Sequence, residues 1–260
     1  MKLSAVILTH NEEKNISECM ASLNGLADEI VVADSCSTDR TLEIAKSLGA
    51  VTQSIDSDVG YGRKRQQAQE FCHGDFIIHL DADERLTEEG CAEIRSALEK
   101  ADRNTVLAIP RLTMLFDTPI HHCGWYPDYV NRVYAKEYTS YNDSLVHEHL
   151  ILPADAKLVK LKQPMIHYSY TNLEVFFAKQ SSYAIAYGLN NKRGSKSVSL
   201  WAVPLRGVFA FIKTYFLQGG YRDGSMGLWL SIAKMNYVIK KYLALYAALN
   251  GKRMRRNEEK

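Results

Sequence analysis

The stretch Phe76-Ile-Ile-His-Leu-Asp-Ala-Asp-Glu84 decides the fold. A short, mostly apolar run ends in three carboxylates, Asp81, Asp83 and Glu84. Such a run reads as a buried strand, and in open α/β sheets ligands sit just beyond the carboxyl ends of these strands. Three carboxylates gathered there repel one another unless a cation sits among them. Oxygen ligands suit Mg²⁺ or Mn²⁺, which bridge one or two carboxylates to substrate phosphates. Asp56-Ser57-Asp58 repeats the spacing with no apolar strand in front of it, and reads as solvated loop.

Working outward, Leu3 to Thr9 is a second apolar strand, followed by the polar loop His10-Asn11-Glu12-Glu13 and a helix from about Asn15 to Leu23. Glu29 to Ala33 is a third strand, ending in Asp34-Ser-Cys-Ser-Thr-Asp39. Ser37 or Thr38 is expected to cap the next helix, with Asp39 in its first turn, where the helix dipole favours negative charge. That helix runs to Leu48 and stops at Gly49. Ala50 to Ile55 reads as a strand, and Gly60-Tyr61-Gly62-Arg63-Lys64-Arg65 opens a helix leading to Asp75. Read alone, Arg63, Lys64 and Arg65 are a solvated helix face. Alternating strands and helices predict an α/β fold whose sheet is largely parallel, with polar loops gathered at one edge.

The five cysteines are odd in number, widely spaced and without a C-x-x-C pair, which disfavours a zinc site or a disulfide framework. Reduced thiols fit a cytoplasmic setting, and no signal peptide is visible. The net charge of +2 hides an asymmetry. Residues 1–100 hold 10 Lys and Arg against 19 Asp and Glu, whereas residues 157–260 hold 18 against 4. A basic region calls for nucleic acid or an anionic membrane, and its aromatic and aliphatic content favours the membrane. Ser199 to Leu217 is too interrupted by Pro204, Arg206 and Lys213 to span a bilayer. It suits a helix lying in the interface, with Trp201 and Phe209 inward and Arg206 and Lys213 toward headgroups. Leu228, Ile232, Met235, Ile239, Tyr242 and Tyr246 recur at helical spacing and read as a core stripe, followed by the basic tail Lys252 to Arg256.

Val6-Ile-Leu-Thr-His-Asn-Glu12, Val31-Val-Ala-Asp34 with Ser37-Thr-Asp39, and Asp81-Ala-Asp83-Glu84 together resemble the nucleotide-sugar half of family 2 glycosyltransferases, inverting enzymes of the GT-A fold. Leu145-Val-His-Glu148, His167-Tyr-Ser-Tyr170 and Gly219-Gly-Tyr-Arg-Asp-Gly224 resemble a bacterial subgroup that adds β-1,4-glucose to a heptose of the lipopolysaccharide inner core. The resemblance implies a GT-A, Rossmann-like mixed sheet flanked by helices, with a helical C-terminal extension. Residues 1–105 would bind the nucleotide sugar, 106–170 would form the acceptor side, and 171–260 a basic membrane-associating extension.

The resemblance also implies roles. Thr9, Asn11 and Glu12 line a uridine pocket, Asp34 accepts from uracil or ribose, and Arg65 points at the base or the diphosphate. Asp81 faces the ribose or the sugar, and Asp83 binds Mg²⁺ or Mn²⁺, with His147 and His167 expected either to complete the metal shell or to touch the diphosphate. Glu148 is the expected general base and Asp143 the runner-up, while His121 and His122 read as loop residues. Expected partners are a UDP-sugar donor, a lipopolysaccharide core acceptor and the anionic inner face of the inner membrane, with no nucleic acid. Two other classes stay open. A nucleotidyltransferase would carry a Gly-rich basic loop after the first strand, where this chain has His10-Asn-Glu-Glu13. A non-catalytic membrane-bound adaptor would not need the Asp81/Asp83 pair.

Overall fold

The computed structural model describes residues 1–144, 148–191 and 197–258, with side chains described through residue 250. Its contacts divide the chain into two compact units: Met1–Leu112 with Pro127–Tyr168, and Thr113–Tyr126 with Ser169 onward.

The first unit is a mixed α/β sheet. In chain order its elements are β1 (Leu3–Thr9), α1 (Ile16–Ala21), β2 (Glu29–Asp34), α2 (Thr41–Ser47), β3 (Val51–Ser54), α3 (Tyr61–Glu70), β4 (Phe76–Asp81), β5 (Glu84–Leu86) and α4 (Glu88–Leu98). There follow β6 (Thr105–Leu115), β8 (Asp128–Ala135), β9 (Lys157–Lys160) and β10 (Met165–Tyr170), while the short β7 (Thr118–Pro119) and the last residues of β6 and β10 belong to the second unit. The strands run in the order β3-β2-β1-β4-β8-β6-β10-β5. The first four pair in parallel, as the alternating pattern predicts. β8 then runs antiparallel to both β4 and β6.

The parallel strands read as unbroken apolar runs because both their faces are buried. Ala5 and Ile7 of β1 join Val32, Ile78 and Leu80 in one core. Val6 joins Val31, Ile77, Ala68 and Tyr134 in the other. From β1 the chain moves outward to β2 and β3, then returns to the opposite side of β1 as β4. This reversal creates a switch point between β1 and β4, where open α/β sheets place their ligands. Thr9, Asp34 and Asp81 end the three adjacent strands, paired in register Thr9 with Asp34 and Leu8 with Asp81.

The start of α2 differs from expectation. Arg40 occupies the N-cap without a side-chain cap. Asp39 lies before the helix, and its Oδ1 accepts from the Thr41 N–H at 3.0 Å and from Thr41 Oγ1 at 2.5 Å. Ser37 and Thr38, the expected caps, are drawn instead into bonds with Asp34 and Asn11. The Asp56 to Asp58 segment is exposed loop, as expected.

In the second unit, Asn172 caps α5 (Leu173–Asn190) by accepting from the Val175 N–H at 2.9 Å. α6 (Ala202–Ile212) carries Pro204 in its first turn, where the missing N–H costs little, and runs into a π-helical turn at Lys213–Leu217. A 3-10 turn at Gly220–Asp223 precedes α7 (Gly224–Glu258). Thr113–Tyr126, expected on the acceptor side, packs here because Leu115, Ile120 and Cys123 bury against Phe176, Leu230 and Ala233.

The stripe expected on α7 is only partly core. Leu228 and Ile232 are exposed, whereas Leu230, Ala233 and Leu245 are buried. Met235 and Ile239 meet α6 at Gly207, where an added Cβ would lie 2.7 Å from Ile239 Cγ1. The side chains of Lys252 to Arg256 lie outside the described residues. No described helix is long and apolar enough to cross a membrane.

Gly62 gives the sharpest packing test. A Cβ there would lie 1.8 Å from the Asn142 carbonyl oxygen. Helix propensity alone predicts that Gly62→Ala stabilises by up to about 1 kcal/mol. Overpacking against a backbone carbonyl reverses that sign, so urea unfolding should show a loss of about 1–3 kcal/mol. A stabilised variant would contradict this packing.

Candidate active site

Three loops meet at the switch point. The loop after β1 and the loop after β2 are laced together by side chains. Thr9 Oγ1 donates to Asp34 Oδ1 at 2.9 Å, and Ser37 donates to both Asp34 oxygens, through Oγ at 2.5 Å and N–H at 2.9 Å. Asp34 is buried and holds this loop pair together. Asn11 has φ +57, a left-handed conformation that asparagine tolerates better than most residues. In that pose its Oδ1 accepts from the Thr38 N–H at 2.8 Å, and its own N–H donates to Ser37 Oγ at 2.8 Å. The Glu12 N–H donates to Thr41 Oγ1, and Glu12 Oε2 accepts from Asn15. Burial raises the Glu12 pKa; the Asn15 hydrogen bond opposes that rise, and the Asp83 charge adds to it. Thr9, Asn11, Glu12 and Asp34 thus form one rigid rim.

The third loop is the acidic turn after β4. The cations that offset its charge are guanidinium groups. Asp81 Oδ1 meets Arg65 Nη2 at 2.7 Å, and Asp81 Oδ2 meets Arg132 Nη2 at 2.9 Å. The same Arg132 nitrogen reaches Glu84 Oε1 at 2.6 Å, and Arg111 Nη1 approaches that oxygen at 3.6 Å. Glu84 is fully buried, and its Oε2 accepts from the Asp81 N–H at 2.9 Å. Arg85 clips the turn by donating through Nη1 to the Ala82 and Glu84 carbonyls. The repulsion among carboxylates foreseen from the sequence is therefore answered largely by Arg65, Arg132 and Arg111. The arginines other than Arg65 went unforeseen. The available signal was an arginine inside the apolar strand β8, since arginine is rarely buried without a partner.

Asp83 is left outside this arginine network. Its Oδ2 lies 3.4 Å from His167 Nε2 on β10, while the Tyr168 N–H donates to the Asp83 carbonyl at 2.9 Å. His167 Nδ1 is buried with no hydrogen-bond partner among the described residues. Among the described residues, no three His, Cys, Asp or Glu side chains converge on one point. Two protein donors still fit a hard divalent cation, which takes one or two side chains and fills its shell with phosphate oxygens and water. His147 lies outside the described residues.

Glu148 is mostly buried, and its Oε1 accepts from Arg65 Nε and Nη2, each at 3.3 Å. Asp143 is exposed and accepts from Gln66 Nε2 at 2.9 Å. Arg65 is itself buried, so it is not the solvated helix face of the simpler reading. It lies 5.1 Å over the Tyr141 ring, and among the described residues its Nη1 has no partner. Behind the turn, His79 is buried between Tyr134 and Tyr141. Burial, then Arg65 and Arg132, hold its pKa well below the usual value, so the imidazole is neutral.

Burial pushes the Asp81 pKa up, and Arg65 and Arg132 more than reverse that, holding it well below the carboxylate range. Its contribution to stability is thus complete above the unfolded-state value, near 4, and fades as pH falls toward the folded value. Arg132→Met leaves buried Glu84 and Asp81 short of a partner. Urea unfolding at neutral pH should show a loss of about 3–5 kcal/mol, and acid unfolding should move to higher pH. Adding Glu84→Gln should restore part of the loss. No change in either profile would show that the network is not what holds the turn.

Comparison with known proteins agrees with the geometry. Residues 4–151 match the model of the glycosyl transferase family 2. An uncharacterized glycosyltransferase of Rickettsia bellii is 27% identical over 260 residues, covering 94% of this chain and 85% of its own. One from Rickettsia conorii is 29% identical over 234 residues, covering 84% and 80%. The crystal structure of Staphylococcus aureus TarS 1–349 in complex with UDP aligns with 98% of this chain and 92% of its own, at 17% identity and a TM-score of 0.48. The matched segment takes in the rim, the arginine-balanced turn and Glu148, so the chain belongs to glycosyl transferase family 2 and is a glycosyltransferase.

Proposed function

We propose that the chain transfers a hexose, glucose from UDP-glucose, to a heptose of the lipopolysaccharide inner core, with inversion to a β-linkage. The observation that carries this reading is the division of labour in the acidic turn. Asp81 is held by two arginines, while Asp83 and His167 face each other and remain available to a ligand. The rim of Thr9, Asn11 and Glu12, with Asp34 behind it, would receive the uridine. Arg65, buried and paired through Nη2 with Asp81 and Glu148, would hold the diphosphate end of the site in place from behind. Mg²⁺ or Mn²⁺ held by Asp83 and His167 would offset the negative charge that builds on the departing UDP.

In the reaction, an acceptor hydroxyl attacks the anomeric carbon from the side opposite UDP. The bond from that carbon to the diphosphate oxygen breaks with its electron pair, and the hydroxyl proton passes to a carboxylate. Glu148 is the proposed acceptor of that proton. Arg65 fixes one of its oxygens, and Oε2 has no described partner. Asp143, exposed and set on Gln66, is the weaker candidate. The acceptor would be carried by an anionic membrane on its cytoplasmic face.

Two substitutions test the assignment with purified enzyme and a truncated lipopolysaccharide acceptor. Asp83→Ala should reduce turnover by more than about tenfold, a barrier change above about 1.4 kcal/mol, with the melting temperature unchanged. Glu148→Gln keeps the shape but cannot take a proton, so turnover should fall by about 10²–10⁴ while UDP binding is preserved. Full turnover in Glu148→Gln together with a lost melting temperature would make Glu148 a structural partner of Arg65 and nothing more.

A further inference from the structure

α6 is apolar almost all round, and among the described residues only one of its sides has a partner. Val203, Gly207 and Thr214 form the buried side, and Gly207 lets the backbone close onto Met235 and Ile239 of α7. The opposite side is a continuous ridge at helical spacing: Trp201 is 90% exposed, Leu205 71%, Phe209 61%, Ile212 43% and Phe216 57%. Leu217 extends it through the π-helical turn at 74%. A ridge of large apolar groups on this scale marks an interaction surface.

Charge selects the occupant. From Val175 to Arg222 the sequence holds seven Lys and Arg and no Asp or Glu. Lys213 caps the ridge. Among the described residues, neither it nor Lys234 or Lys241 of α7 pairs with a carboxylate. Burial lowers the Lys234 pKa, and Lys241 and Lys213 lower it further, so this cluster lacks an anion. A second copy docked through the same face would bring like charges together. Arg206, expected to reach headgroups, instead lies 4.2 Å over the Tyr242 ring, which fixes the side of α6 that faces away from α7.

We propose that this ridge inserts into an anionic phospholipid bilayer, with Trp201, Leu205, Phe209, Ile212 and Phe216 among the acyl chains and Lys213 at the phosphates. The inference rests on the membrane-borne acceptor of the proposed function for its purpose, but the contact is measurable without catalysis.

Flotation with phosphatidylethanolamine–phosphatidylglycerol vesicles should recover the full chain, and pure phosphatidylcholine should recover far less. The Trp201→Ser/Phe209→Ser/Phe216→Ser variant removes only exposed groups. It should bind the anionic vesicles at least about a hundredfold more weakly, with an unchanged melting temperature and unchanged UDP-glucose hydrolysis. In the unaltered protein, brominated acyl chains should quench a fraction of the indole emission that Trp201→Phe removes, a readout independent of the triple variant's folding. Unchanged vesicle binding by the triple variant would overturn the proposal. So would loss of binding only when Lys252, Arg253, Arg255 and Arg256 are changed to Gln, or a wild-type dimer in sedimentation that the triple variant dissolves. Loss of UDP-glucose hydrolysis by Asp83→Ala is independent of all three outcomes, so failure here leaves the catalytic reading intact.

Discussion

The carboxylates of Asp81 and Glu84 meet the guanidinium of Arg132 at the end of a strand buried on both faces, and the site is arranged around that contact. A carboxylate without a partner in such a place costs several kcal/mol, and a pair of them costs more through mutual repulsion. Replacing the whole network by apolar groups of similar size would satisfy burial equally well, so stability alone does not explain why it is charged. What the charges supply is position. Each oxygen of Asp81 is fixed by a different arginine, Glu84 grips the Asp81 amide, and Arg85 ties the turn carbonyls. The turn is rigid, and Asp83 emerges from it facing His167.

The same arginines link the turn to its surroundings. Arg65 comes from α3 and holds Asp81 and Glu148 at once, so the turn that carries the proposed metal ligand Asp83 shares one support with the proposed base. Arg132 comes from β8, the strand that turns the sheet from parallel to antiparallel. Neutral His79 fills the space behind them without adding a further charge to a crowded site. On the neighbouring strand ends, Asp34 does for the rim what Arg132 does for the turn, binding Thr9 and Ser37 into one unit.

Much of this was legible in the sequence, for a physical reason in each case. Parallel strands buried on both faces must be apolar throughout, so β1, β2 and β4 announce themselves, and the carboxylates at their ends mark the sheet edge. Pairing across long separations leaves no such trace. Arg132 is 51 residues from Asp81, and nothing within β8 itself names that partner. Local rules also lost where tertiary bonds competed. Ser37 and Thr38 are good capping residues, but Asp34 and Asn11 offered better partners. In the C-terminal unit, hydropathy located α6 but gave Arg206 the wrong partner, because an aromatic ring on α7 offered its guanidinium a face.

In the proposed site, arginines balance Asp81 and Glu84 so that Asp83 and His167 are left for the cation and the diphosphate. A crystal structure of the full chain with UDP and Mn²⁺ tests that most directly. It should show the metal about 2.0–2.3 Å from Asp83 and His167 and from both phosphates, with Asp81 still paired to Arg65 and Arg132. A metal bound to Asp81, with either arginine displaced from it, would contradict the account.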